Sequence, residues 1–103
     1  MIVIILDGAL TMHTVKRVET FCIEEIKKNP GNLILDMYNV TFIDSTAVSI
    51  LVKLLNHAVS HKVKLILYNL NHTTREILDT LKLTKFFTVF TKAEFESALK
   101  AKA

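Results

Sequence analysis

Apolar residues along the chain recur in two rhythms that alternate. Ile2 to Leu6 is an unbroken aliphatic, mostly β-branched run, the pattern of a strand buried on both faces of a sheet; Gly8 breaks it. From Met12 to Lys28 the rhythm changes. Val15, Val18, Cys22 and Ile26 fall at helical spacing, with Lys16, Arg17, Glu24 and Lys27 turned outward, which predicts an amphipathic helix. Asn29-Pro30-Gly31-Asn32 supplies the turn chemistry that stops it. Leu33 to Met37 predicts a second buried strand, Val40 to Ile43 a short extended stretch behind it, and Val63 to Tyr68 a third strand. Asn71-His72-Thr73-Thr74 predicts the cap of a helix running to Leu81. Phe86 to Phe90 predicts a fourth short strand, and Thr91 the cap of a last helix holding Phe95, Ala98 and Leu99.

Between the second and third strands the chain must hold another helix, because Asp44-Ser45-Thr46 is followed by an apolar pattern at helical spacing. The order is then β-α-β-α-β-α-β-α. Such alternation predicts an α/β fold with a mainly parallel central sheet of about four strands, covered by about four helices and joined by right-handed crossovers. Neither a repeat nor a composition break divides the chain, so residues 1–103 read as a single domain whose C-terminal few residues fray.

Composition sharpens this picture. Half of the 103 residues are hydrophobic and 22% are charged, enough for a packed core. Two glycines and one proline leave little for linkers, so the loops must be short. The single Cys22 has no partner for an intrachain disulfide, and its neighbours Val18, Phe21 and Ile26 suit a buried thiol. The apolar start ends at Asp7, too soon for a signal peptide, and no run reaches membrane-spanning length. A cytoplasmic protein with no membrane insertion is expected. The net charge of +3 does not predict nucleic-acid binding, because thirteen Lys and Arg are dispersed among ten acids without a basic run. Lys100 and Lys102 stand in the Ala-rich tail.

Catalytic patterns are sparse. Ser45 lacks the Gly-x-Ser-x-Gly frame, and the chain has no Gly-rich phosphate loop. His57 and His61 stand at i and i+4 on one helix, a spacing compatible with a metal, but no third ligand is evident. Asp7, Asp36 and Asp44 near strand ends prove no mechanism. No enzyme activity, no cofactor and no metal are expected.

The informative segment is Asp36-Met-Tyr-Asn-Val40-Thr-Phe42-Ile43-Asp44-Ser45-Thr46-Ala47-Val48. A strand ends in Asp-Ser-Thr and a helix starts at once, so Asp44 or Ser45 is placed to accept from the free N–H groups of the first turn. On the helix, Ala47, Val48, Ile50, Leu51, Val52, Leu54, Leu55, Ala58 and Val59 fill an arc about twice the roughly 100° stripe that a helix on a sheet requires. The surplus lies on a shoulder of Ile50 and Leu54 beside Ala47, which packs on a neighbouring helix or meets a partner protein.

These residues carry a resemblance. Asp36-x-x-x-Val40-x-Phe42-Ile43-Asp44-Ser45-Thr46 resembles the signature of STAS domains, and specifically of bacterial anti-sigma factor antagonists. Gly8-Ala9-Leu10 is similar to the family's Gly-x-Leu before the first helix, and Arg75 to Leu78, Leu83, Phe86 and Phe90 are similar to its C-terminal helix and strand. The resemblance implies that Ser45 is phosphorylated by an anti-sigma factor that is also a serine kinase. It implies further that the unphosphorylated form binds that kinase and so frees a sigma factor, and that a phosphatase resets the switch. Asp44 maps onto the motif's Asp, and Thr46, Ala47, Ile50 and Leu54 are the expected switch and partner-binding residues. The chain departs from the family at Ala47, Ser49 and Lys82, where glycines are expected, and in lacking a strand ahead of Met1 to Leu6. The first two departures favour an alternative, a constitutive STAS-type subunit of a transport or sensory assembly. The last would open a sheet edge to a homodimer. A small nucleotide-processing enzyme is a third reading, one that nothing in the sequence requires.

Overall fold

The computed structural model describes the backbone of residues 1–102 and the side chains of residues 1–97. The side chains of residues 98–103, those of Ala98, Leu99, Lys100 and Lys102 among them, lie outside the described residues. Four strands and four helices alternate: β1 (Ile2–Leu10), α1 (Val15–Lys27), β2 (Asn32–Ile43), α2 (Ser45–Ser60), β3 (Lys64–Tyr68), α3 (His72–Thr80), β4 (Thr88–Phe90) and α4 (Lys92–Lys102). The strands form one sheet in the order β1-β2-β3-β4, and every pairing is parallel. A sheet that grows in one direction by right-handed crossovers keeps its connecting helices on one face.

Burial follows that rule. Leu33, Leu35, Leu65 and Leu67 join Cys22 and Ile26 of α1, Leu51 and Leu54 of α2 and Leu78 of α3 in one core. The alternate residues Ile34 and Ile66 are also buried, and because strand side chains alternate they face the reverse side. There Phe95 of α4 packs on Tyr68 with ring centroids 4.8 Å apart.

Two strands depart from the sequence reading. Gly8 does not end β1. It takes a φ of +79°, within a stretch where the pairing with β2 shifts register between Ile5 and Asp7 and again between Gly8 and Ala9; the strand then continues to Leu10. Likewise the Leu33–Met37 strand and the extended stretch Val40–Ile43 behind it form one strand, Asn32–Ile43. The side-chain amide of Asn71 donates to the Tyr38 and Val40 carbonyls at 2.8 and 2.7 Å, holding the stretch between them. Nor is β1 buried on both faces. As an edge strand it leaves Val3 and Ile5 48% and 65% exposed.

Helix ends are set by local chemistry. Thr91 and Glu94 reciprocally accept each other's backbone N–H in a capping box at the start of α4. At the end of α3 the Leu83 and Lys82 N–H groups donate to the Leu78 and Asp79 carbonyls, a Schellman turn that places Lys82 at a φ of +58°. That is the position where the resemblance leads one to expect glycine.

Candidate functional site

The site is built where β1 and β2 end. In a parallel sheet the carboxyl ends of the strands, and the helix N-termini that follow, collect on one rim, where binding sites form. Here the loop after β1 is stitched to the start of α2. The Asp44 N–H donates to the Leu10 carbonyl at 3.0 Å. The Asp44 carboxylate then divides its two oxygens: Oδ1 accepts from the Ala47 N–H at 2.8 Å, and Oδ2 from the Met12 N–H at 2.9 Å. Thr14 Oγ1 braces the same loop by donating to the Ala9 carbonyl at 2.7 Å. Of the two capping candidates, Asp44 is therefore the N-cap. The bonds from Ala47 and Met12 favour its charged form and hold its carboxyl below the usual range, against a smaller opposing effect of burial.

With the capping role taken, the Ser45 side chain is released from structural duty. Ser45 is the first residue of α2 and is exposed, as is Thr46. Among the described residues its hydroxyl has no hydrogen-bond partner. It stands at the positive end of a helix of 16 residues, where first-turn N–H groups and the helix dipole favour negative charge.

The expected partner-binding set divides. Ala47 and Leu54 are fully buried and offer no side-chain surface to a partner, which corrects that part of the expectation. The physical reason is their place on the helix: Ala47 and Leu54 fall with Leu51 and Ala58 on the one buried stripe of α2, which joins the strand residues in the core, while Lys53 beside them reaches Glu19 of α1 at 2.7 Å. Ile50 is half-buried and packs against the core. In place of Leu54, two residues that the helical wheel did not single out complete the exposed surface. Met12, tied to Asp44 through its backbone, is 63% exposed, and Phe42, two residues before Asp44, is 49% exposed. A large apolar residue alone in the polar turn Thr11-Met12-His13-Thr14 is the sequence signal for Met12.

Other candidate groups do not gather here. In the β1–β2 register Asp36 lies opposite Ile5 and Asp7 opposite Asn39, while Asp44 lies beyond the sheet, so the three carboxylates do not converge. His57 and His61 stack with ring centroids 4.4 Å apart. Burial, and then the neighbouring His61, lowers the His57 pKa. Among the described residues no group of three or more His, Cys, Asp or Glu is arranged to hold a metal. Cys22 is wholly buried, and burial pushes its thiol up to about 12. No helix among the described residues is long and apolar enough to cross a membrane.

Comparison with solved structures gives the same fold. A Thermotoga maritima protein classed provisionally as an anti-sigma factor antagonist superposes with a TM-score of 0.80 at 20% identity, over 95% of this chain and 87% of its own. The anti-sigma factor antagonist SpoIIAA in its unphosphorylated form gives 0.76 at 21% identity, over 96% and 87%. An anti-sigma factor antagonist (STAS) domain protein of Planctomyces limnophilus gives 0.78 at 13% identity, over 98% and 90%. No curated protein matches the chain. The family model for the STAS domain matches residues 1–96, nearly all of the sheet and helices described above, and by that match the chain belongs to the STAS domain family.

Proposed function

We propose that this protein is an anti-sigma factor antagonist, a binding module rather than an enzyme, switched by phosphorylation of Ser45. Its partner in this reading is an anti-sigma factor with serine kinase activity, met on the rim formed by Met12, Phe42, Asp44, Ser45, Thr46 and the exposed side of Ile50. A phosphatase restores the binding form, and both reactions take place in the cytoplasm. The observation that carries the reading is the division of labour at the start of α2: Asp44 caps the helix, which leaves the neighbouring hydroxyl exposed and unbonded.

A phosphate on Ser45 adds about −1.5 to −2 charges and three acceptor oxygens. The free N–H groups of the first turn and the helix dipole offset that charge, so the fold tolerates it. A docked partner meets new charge and bulk beside the already anionic Asp44. The alternative of a constitutive subunit drew on Ala47 and Ser49 in place of glycines. Ala47 weighs less once its methyl is seen to point into the core, away from any approaching kinase.

The test is incubation with the cognate kinase and Mg-ATP. One phosphate per chain is expected in the native protein and none in Ser45→Ala. Ser45→Asp should keep the fold and weaken binding to the kinase. Undiminished incorporation in the Ala variant refutes the site, and unchanged affinity of the Asp variant refutes the switch.

A further inference from the structure

The lysines are scattered along the sequence, but the fold gathers six of them. Because β2, β3 and β4 are parallel, each helix-to-strand connection returns to the same end of the sheet, opposite the Ser45 rim. β2 and β3 begin level there, Asn32 opposite Lys64, and β4 begins at Thr88, opposite Ile66. The three connections, residues 26–32, 58–64 and 81–87, hold Lys27, Lys28, Lys62, Lys64, Lys82 and Lys85, and no acid. All six are exposed. The turns on the opposite rim, residues 11–14, 44, 69–71 and 91, hold Asp44 and no lysine. The acids nearest in sequence to the lysine-bearing turns are Glu25, paired with Lys28 at 3.2 Å, and Asp79 on the last turn of α3. Among the described residues the other five lysines are in no ion pair.

Helix chemistry accounts for part of this. A cation near a helix C-terminus is favoured by the dipole, which serves Lys27 and Lys28. At Lys62 and Lys82 that gain is offset. α2 and α3 end in the same turn, with the Val63 N–H donating to the Ala58 carbonyl and the Leu83 N–H to the Leu78 carbonyl, both at 2.8 Å. In each turn the lysine takes a φ of +58°, where glycine is the favoured residue. Twice, then, a charge stands at this end at a conformational cost. The same end holds large apolar side chains in solvent: Val59 is 65% exposed, Leu81 51% and Phe86 70%.

We propose that this end of the sheet docks on a bilayer surface rich in anionic phospholipid, with Val59, Leu81 and Phe86 entering the headgroup layer and the lysines meeting its phosphates. The chemistry sets this occupant apart from nucleic acid. The three connections hold no Arg, whose planar fork reads phosphate and guanine, and Val59 and Leu81 offer no ring on which a base stacks. A protein partner fits less well, because lysine is depleted in protein interfaces. The chain lies on the bilayer in this arrangement, since no helix among the described residues is long and apolar enough to cross it. The 12 residues of β2 separate the docked end from Ser45, roughly 35 Å of strand. That hydroxyl therefore faces away from the lipid, and the proposal does not depend on the switch.

Co-sedimentation of the full chain with vesicles tests this. Binding is expected to vesicles of mixed phosphatidylglycerol and phosphatidylcholine, not to phosphatidylcholine alone, and should weaken as salt is raised. Lys82→Gly should weaken it about fivefold while the melting temperature rises, which separates lost binding from lost folding. Phe86→Ser should weaken it about tenfold with native circular dichroism, because the ring is exposed. Lys92→Gln, at the opposite rim, should change it by less than about twofold. Equal binding to the two kinds of vesicle overturns the proposal, as does undiminished binding by Lys82→Gly or Phe86→Ser, or a loss in Lys92→Gln as large as in Lys82→Gly. A DNA duplex bound as tightly as the vesicles at equal phosphate would make this end a nucleic-acid surface, and overturns it too.

Discussion

The clasp between α1 and α2 yields a prediction in which the two halves of one ion pair are unequal. Glu19 is 4% exposed and is held by Lys53 at 2.7 Å and Lys16 at 3.3 Å, whose side chains are 62% and 81% exposed. Removing the acid, as in Glu19→Gln, leaves two lysines already in water and a neutral amide where a charge had been desolvated. The expected cost is about 1 kcal/mol or less. Removing the base, as in Lys53→Met, leaves a carboxylate in the interior with only the longer bond to Lys16. Breaking a fully buried pair in this way costs about 3–5 kcal/mol; discounted for the exposure of Lys53, about 2 kcal/mol is expected here. Urea unfolding at neutral pH reads the difference as a midpoint lowered by about 1 M in Lys53→Met and by less than half of that in Glu19→Gln. The pH dependence carries the same sign. The bond to Lys53, outweighing burial, holds the Glu19 carboxyl below its ordinary value of 4.5, so its contribution is present above that value and is lost as pH falls through the folded pKa. In Lys53→Met the largest cause of that lowering is gone and the carboxyl titrates higher than in the native protein. The deficit of that variant should therefore shrink on acidification below about pH 5. A Glu19→Gln variant as unstable as Lys53→Met, or a deficit that grows on acidification, would refute the reasoning.

Two further outcomes follow from local geometry. Lys82→Gly removes a side chain from a left-handed position at the end of α3 and should stabilise the fold by about 0.5–1 kcal/mol, read as a melting temperature a few degrees higher; a lower value would contradict the Schellman reading. Cys22, wholly buried with its thiol pushed up to about 12, should resist alkylation in the native protein and react fully in denaturant. Labelling under native conditions at the rate of an unfolded thiol would show the core open at α1.

Much of this molecule is legible in its one-dimensional pattern, because the features concerned are local. The rhythm of Val15, Val18, Cys22 and Ile26 is a property of one helix, and the Asn71 and Thr91 caps are read within four residues of each helix start. What escapes the pattern depends on partners distant in sequence. The continuity of β2 rests on Asn71, whose amide reaches back to Tyr38 and Val40. The exposure of Val3 and Ile5 depends on β1 lying at the edge, which no run of aliphatic residues announces. At the site, the Asp-Ser-Thr junction is visible in sequence. The choice of Asp44 over Ser45 as the cap is not, because it depends on the Met12 N–H arriving from the loop after β1. The wheel for α2 correctly marks a surplus of apolar surface. It cannot say that Leu54 is taken into the core, or that Met12 and Phe42 are left as large exposed apolar side chains.

The central claim concerns one hydroxyl, at the first residue of α2, presented to solvent beside a carboxylate that does the capping. Mass spectrometry of the protein isolated from its native cells tests it most directly. A phosphorylated fraction with the phosphate on Ser45 is expected. Phosphate confined to any other residue, or a protein that remains unmodified whether its kinase is active or not, would contradict it.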